Sequence, residues 1–332
     1  MQAILAVTIP FFALVLCGYL AAQRGVLPET AIPGLNSFVL YFALPCLLFR
    51  FGASMPFAQL IDPLLIAIYA ASALLLVFFT VAATWRRDDN ARGVDLKNAA
   101  FGALVAAFPN TGFMGVPLLV ALFGERAAGP VIGTVLTDLI LTSTLCIAIA
   151  QMEEAHAHPE SSGVFSAVVR SLRGAMTNPL PWAIALGAVF AATGARFPGP
   201  LDQIVKMLAD AATPVALFTI GAVLWRAGQH AHTRTPVLRY LPVALIKLLL
   251  HPLLVLSIGL LAHRAGLAVP PLGLTVLVLA AALPSASSVS LLAERFGADN
   301  GRVARIIMAS TMLAFVTFSV LAWLLRAADP AG

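Results

Sequence analysis

The sequence predicts an all-α integral membrane protein, with ten transmembrane helices arranged as two inverted five-helix repeats. Three observations carry this expectation. Of 332 residues, 60% are hydrophobic and 11% charged, and the mean hydropathy is +0.95. Soluble domains carry about 45–50% apolar and about 25% charged residues, so this chain has too little charge to cover a surface in water, which excludes a soluble enzyme. Apolar runs near the length of a span, about 20 residues, follow one another along the whole chain. Prolines inside those runs recur at a nearly constant offset. The net charge of +5 and pI near 9.5 are read as loop arginines that orient helices, so the partner is a lipid bilayer and not nucleic acid.

Taken in order, the runs cover 2–22, 31–52, 62–84, 98–122 and 128–150, then 178–196, 201–225, 237–262, 270–294 and 302–325. No Lys or Arg precedes Arg24; a cleaved signal needs a basic leading region, so the first run is expected to stay as a span. The runs are continuous and not ten-residue alternating strands, which excludes a β-barrel. Trp85, Trp182, Trp225 and Trp323 fall near run ends, as interfacial anchors do. Cys17, Cys46 and Cys146 lie inside apolar runs without a CxxC pair and are read as small buried hydrophobes, so neither a disulfide, a metal nor a cofactor is expected.

Basic residues set the orientation. One set of loops holds Arg24, Arg86, Arg87, Arg92, Lys97, Arg170, Arg173, Arg226, Arg234, Arg239, Arg295, Arg302 and Arg305, which is 13 of the 20. The opposite side has six, Arg50, Arg126, Arg196, Lys206, Arg264 and Arg326, and Lys247 lies within a span. The positive-inside rule puts the first set in the cytoplasm and both termini outside the cell (inner) membrane.

Pro10 and Pro181 are 171 residues apart, Pro45 and Pro214 are 169 apart, and Pro109 and Pro284 are 175 apart. FALPCLLF around Pro45 also resembles AATPVALF around Pro214. This implies a first repeat over 1–150, a hydrophilic cytoplasmic linker over 151–176 and a second repeat over 177–332. Because five is odd, the second half enters the membrane from the other side, the inverted-topology arrangement of secondary transporters.

The strongest local signal is FPNTGFMGVP, Phe108 to Pro117. Two prolines, two glycines and an Asn-Thr pair in ten residues cannot form a regular helix. Such a break survives at membrane depth only when buried in protein or lining a cavity. Its repeat mate is LPSASSVS, Leu283 to Ser290. Paired interruptions at corresponding positions point to a transport site. Half-helix N-termini suit a carboxylate, and Pro109, Asn110, Thr111, Pro284, Ser285, Ser287 and Ser288 form the candidate substrate site. The alternative is a pair of kinks that brace helix packing.

FPNTGFMGVPLL resembles the fourth-helix motif of the auxin efflux carrier family, which includes plant PIN-type carriers and bacterial malonate and malate permeases. LNSFVLYFALPCLLF resembles its second helix, NPLPWAIALG its sixth, LADAATPVALFTIG its seventh and ALPSASSVSLLAERFGAD its ninth, so the resemblance covers nearly the whole chain. It implies two inverted repeats, a relation to bile acid sodium symporters, and fourth and ninth helices that cross at their broken centres. It further implies a dimerising scaffold of helices 1, 2, 6 and 7, and an elevator made of helices 3–5 and 8–10. Pro109, Asn110 and Pro284 match the family's crossover. Plant carriers have an amide and a second proline after the ninth-helix proline, where this chain has Ser285 and further serines, so the plant auxin pocket is not carried over. Neither broken segment contains Asp or Glu, which disfavours sodium coupling.

Asp138 and Lys247 are the ionisable residues deepest in their runs, and each costs about 2.5–3.5 kcal/mol at a helix centre. Two readings stand: a structural charge pair, or a coupling site in which Lys247 meets the anion and Asp138 takes up a proton. Lys206 and Asp210 are read as helix-packing or interface residues. His156, His158, His230 and His232 are read as solvated loop histidines and not a metal site, and His251 as hydrogen-bonded within the bundle. The leading function is a carrier of small organic anions, mono- or dicarboxylates such as malonate or malate. The alternatives are a carrier of amphipathic weak acids and a non-transporting sensor. YD and GxGD aspartates, a GxSG nucleophile and a Walker A loop are all missing from the sequence, so neither an intramembrane protease nor an ATP-driven pump is expected.

Overall fold

The computed structural model describes residues 2–56, 60–85, 94–157, 164–229 and 235–328. Arg86, Arg87, Arg92, His158, His230, His232 and Arg234 lie outside the described residues, as do the side chains of His156, Arg170 and Arg326. The described chain is helical and contains no strands, although an isolated antiparallel bridge joins Pro109 and Ser285.

The first half comprises α1 (Gln2–Gln23), α2 (Ile32–Phe38), α3 (Leu44–Ser54), α4 (Pro63–Thr84), α5 (Leu96–Ala107), α6 (Val116–Phe123), α7 (Ala128–Thr137) and α8 (Ser143–Ala157). After α9 (Val164–Thr177) the second half comprises α10 (Pro179–Thr193), α11 (Gly199–Gln229), α12 (Val237–Leu245), α13 (His251–Arg264), α14 (Pro271–Ala281), α15 (Ser288–Arg295) and α16 (Asn300–Ala328). Among the described residues, seven helical stretches are long and apolar enough to cross a membrane: Ile4–Gln23, Glu29–Ser54, Pro63–Thr84, Glu125–Met152, Gly199–Gln229, Val237–Arg264 and Asn300–Leu325. The other three predicted runs fall on shorter pieces. Run 98–122 divides into Leu96–Ala107 and Thr111–Phe123, run 178–196 becomes the 15-residue α10, and run 270–294 divides into α14 and α15. At about 1.5 Å per residue, α10 is roughly 22 Å long, less than the ~30 Å hydrocarbon core.

Local chemistry explains the helix ends and widenings. Asp62 accepts from the N–H groups of Leu64 (2.9 Å) and Leu65 (3.2 Å), with Pro63 opening α4, and Asn178 accepts from Leu180 (3.0 Å) at the start of α10. Three helices continue through a widened π turn, Val39–Ala43, Thr111–Gly115 and Ile246–Leu250, each followed closely by a proline: Pro45, Pro117 and Pro252. Proline lacks an N–H and crowds the carbonyl four residues earlier, and the wider turn absorbs both defects. A fourth π turn, Asp138–Thr142, has no proline and begins at a buried carboxylate.

Close backbone packing joins α1 to α11 and α3 to α10. A Cβ at Gly221 would lie 1.8 Å from Val15 O, and one at Gly18 1.8 Å from Phe218 O. At the other pair, a Cβ at Gly187 would lie 2.4 Å from Phe49 O, and one at Gly52 2.8 Å from Ile184 O. Only glycine lets these helices approach so closely. The half-helices that lead into the two interruptions occupy the centre of the protein: every residue from Ala99 to Ala107, and from Val276 to Ala282, is buried. Such all-round burial suits helices apolar on every face.

Helix α8 runs on to Ala157, and α9 occupies Val164–Thr177, where Phe165, Val169, Leu172 and Met176 recur at helical spacing.

Candidate functional site

The two interruptions meet. The Asn110 N–H donates to Pro284 O at 2.8 Å, and the Ala286 N–H donates to Phe108 O at 3.0 Å. Each broken helix thus satisfies backbone groups that its own prolines freed, which answers the cost of leaving them unpaired in an apolar setting. Past the contact, Asn110 O accepts from both Met114 and Gly115 at 3.0 Å as the π turn begins. The contact therefore engages the Asn110 and Ala286 N–H groups with backbone carbonyls.

A cavity of about 370 Å³ opens beside this contact. Of the sequence-predicted site residues, Pro109, Asn110, Thr111, Ser287 and Ser288 line it. Pro284 and Ser285 do not line it; they brace it from behind. Pro284 contributes the carbonyl named above, and the Ser285 N–H donates to Ser310 Oγ at 3.2 Å, while its own buried hydroxyl has no hydrogen-bond partner among the described residues. Asn36 and Leu40, Asn178 and Leu180, and Val135, Leu139, Ser143 and Ile147 also line the cavity. Gly174, Ala175 and Thr177 of α9 and Arg295 at the end of α15 complete the rim. Among the described residues that line the cavity, Arg295 is the one that is charged. The lining thus combines neutral hydrogen-bonding groups, one cation and an apolar majority that includes Phe108, Phe113, Leu291 and Phe296.

Asp138 and Lys247 are both fully buried but do not line the cavity and do not form the direct salt bridge that one sequence reading expected. The reason is that each finds closer partners. The Asp138 carboxylate accepts from the Tyr69 hydroxyl at 2.9 Å and the Thr142 hydroxyl at 3.1 Å. The Lys247 ammonium donates to Ala281 O at 2.5 Å and lies 3.2 Å from His251 Nδ1. Tyr69 and His251, one a partner of each group, bring their rings to within 5.6 Å of each other. His251 Nε2 is buried and has no hydrogen-bond partner among the described residues. His251 is hydrogen-bonded within the bundle, as its position before Pro252 suggested.

Sequence reasoning did not single out Tyr69, Thr142, Asn36, Asn178 or Ser143. They are scattered polar residues in or at the edge of apolar runs, a signal shared by many helix-facing hydroxyls that bond their own backbone, as Ser72, Thr80 and Ser143 do here. Arg295 and Arg302 had been counted only as orienting charges.

Residues 3–322 match the family described as membrane transport protein. The chain is 29% identical over 329 residues to a protein of Rhizobium meliloti (strain 1021) provisionally named a malonate transporter, covering 98% of this chain and 97% of that one. It is 25% identical over 312 residues to the uncharacterized transporter YfdV of Escherichia coli (strain K12), covering 93% of each. It is 22% identical over 297 residues to auxin efflux carrier component 8 of Arabidopsis thaliana, covering 76% of this chain and 80% of that one.

Proposed function

This chain belongs to the membrane transport protein family, and from that premise we propose that it is a secondary or potential-driven carrier of small organic anions that binds its substrate at the meeting point of the two broken helices. The single observation that carries the reading is the reciprocal hydrogen bonding of the two interruptions at the wall of a cavity of about 370 Å³. An interrupted helix pair is costly to bury, and here the cost falls where neutral donors surround a ligand-sized space. Asn110, Thr111, Ser287 and Ser288 supply hydrogen bonds to a carboxylate, and Arg295 supplies positive charge at the rim.

In this reading the molecule is two inverted five-helix repeats. Runs 1, 2, 6 and 7 form a scaffold that pairs two protomers, and runs 3–5 and 8–10 carry the site past it in an elevator motion. The glycine contacts support the repeat: Gly18 and Gly187 are 169 residues apart, as are Gly52 and Gly221, so the α1–α11 and α3–α10 contacts exchange under the offset that relates Pro45 to Pro214. Cavity walls drawn from both sets of runs, Asn36 and Asn178 against Asn110 and Ser287, support a site between scaffold and moving part. The arginine asymmetry supports a cytoplasmic linker and both termini outside the inner membrane.

The likeness to the Rhizobium protein makes malonate the first substrate to try. The mostly apolar lining favours a second reading, an amphipathic weak acid whose carboxylate meets the polar wall and whose body meets Phe108, Phe113 and Leu180. Purified protein in proteoliposomes distinguishes them by uptake of labelled malonate in competition with mono- and dicarboxylates of graded hydrophobicity. Asn110→Ala is expected to weaken transport by about 1–3 kcal/mol, roughly 5- to 150-fold, the penalty for an unpaired buried polar group, while the protein stays folded. Wild-type rates in that variant for every acid that raises the melting temperature would remove the meeting point as the site. Binding without transport of any acid would make the protein a sensor.

A further inference from the structure

The helix α9 carries three features that the transport reading does not use. Its apolar residues Phe165, Val169, Leu172 and Met176 follow a 4, 3, 4 spacing, which is one stripe along an α-helix, and all four are exposed, Phe165 to 81%. A different face packs on the protein, where Ala175 is buried and lines the cavity. The 14 residues contain two arginines, Arg170 and Arg173, and no acidic residue.

The stripe does not end with the helix. Trp182, Leu186 and Val189 continue at a 4, 3 spacing along α10 and are each about half exposed, on a helix that belongs to the apolar body of the protein. Trp182 also ties the two helices together, its indole N–H donating to Met176 O at 2.7 Å. Tryptophan with its N–H satisfied at the head of an apolar helix marks the bilayer boundary. The exposed face of α9 is therefore continuous with a lipid-facing surface and begins at its edge. At 14 residues α9 is about 21 Å long, too short to span, and its apolar stripe is too narrow for a buried helix.

We propose that α9 is an in-plane anchor that seats its Phe165–Met176 face in the acyl–headgroup boundary of an anionic membrane surface while its inner face walls the substrate cavity. The occupant of the exposed face is lipid: the stripe supplies apolar area and the arginines meet acidic headgroups. A solvated linker helix would leave Phe165, Val169, Leu172 and Met176 in water together, which is unfavourable for a contiguous apolar patch.

The test places a nitroxide at Phe165→Cys, Val169→Cys or Arg173→Cys in full-length protein with Cys17, Cys46 and Cys146 replaced by alanine. The protein is reconstituted in phosphatidylcholine vesicles with and without phosphatidylglycerol. The expected result is that labels at 165 and 169 collide several-fold more with dissolved oxygen, relative to a water-soluble nickel chelate, than the label at 173. Two stripe positions keep the test readable if one variant fails to fold. Equal chelate access at all three positions would overturn the proposal. So would spin–spin broadening at 165 that disappears on dilution with unlabelled protein, because it would assign the face to a second copy. Phosphatidylglycerol is expected to raise the melting temperature of the parent protein more than that of the Arg170→Gln/Arg173→Gln double variant; an equal response would remove the headgroup contribution and with it the anionic surface.

Discussion

Lys247 occupies a position where a helix has been cut short. Helix α14 stops at Ala281, and carbonyls in a last turn have no intrahelical donors. The Lys247 ammonium donates to that terminal carbonyl, and a cation there also meets the negative end of the helix dipole. Its burial thus has a local cause next to the second interruption, and Asp138 has a separate one in the hydroxyls of Tyr69 and Thr142. Arg302 does comparable work at one end of the bundle. It is 4% exposed, donates to Asn98 O at 2.8 Å and Arg239 O at 3.0 Å, and so ties α16 to the first turns of α5 and α12. Asp299 closes the cluster, accepting from the Arg302 N–H and donating its own N–H to the Asn98 side chain. Arg302→Met strands two carbonyls and is expected to cost about 1–3 kcal/mol. Arg302→Lys keeps the charge, but a single ammonium lacks the planar fork that reaches both acceptors. Thermal unfolding in detergent should therefore rank wild type above Arg302→Lys and Arg302→Met lowest; a Met variant that melts with the wild type would show that the cluster contributes nothing.

At the level of helices, the same chemistry decided what was legible beforehand. The interruptions at Pro109 and Pro284 were readable because proline and glycine act on their own backbone, within a few residues of where they stand. That Asn110 N–H would bond Pro284 O was not readable, since such a contact depends on how two helices lie across each other. The glycines at 18, 52, 187 and 221 were visible as residues, but their meaning required a partner helix. Helix α9 was hidden by composition: its arginines and serines dominate the average, and the 4, 3, 4 stripe emerges only once the segment is taken as a helix. The glycine contacts give a sharp prediction. Ala at Gly221 or Gly52 places a methyl against the backbone of the facing helix, 1.8 Å from Val15 O or 2.8 Å from Ile184 O, and the pair must separate at a cost of about 1–3 kcal/mol. Gly34, in α2, has open space around its would-be Cβ, and Ala there gains up to about 1 kcal/mol of helix propensity. Melting temperatures should fall for Gly221→Ala and Gly52→Ala and hold or rise for Gly34→Ala. Three variants moving together would refute close packing as the constraint.

For the molecule as a whole, the proposed carrier needs a driving force, and among the described residues that line the cavity there is no acidic one to supply it. Asp138 begins the π turn Asp138–Thr142, and the next residue, Leu139, lines the cavity, so a change in the carboxylate's bonding reaches the wall through one peptide unit. The absence of a salt bridge to Lys247 changes what a mutant cycle should show. Groups that pair directly cancel each other's loss when both are neutralised, whereas independently satisfied groups add within about 0.3–0.5 kcal/mol. Asp138→Asn leaves Tyr69 and Thr142 with an acceptor, and Lys247→Met leaves Ala281 O without its donor, while the two charges still attract each other without direct contact. The double variant should therefore lose somewhat less than the sum of the two single losses in stability, and fall far short of recovery. Recovery in the double variant would instead restore the charge pair. Transport separates the roles further. Exchange of substrate for substrate needs only the loaded carrier to cross, while accumulation against a gradient needs the empty carrier to return with a different charge. If Asp138 carries the proton, Asp138→Asn in proteoliposomes should abolish accumulation driven by a pH gradient and leave exchange close to the wild-type rate. Equal survival of both processes would remove Asp138 from the cycle and leave the membrane potential, acting on the substrate's own charge at about 2.3 kcal/mol per charge per 100 mV, as the driving force.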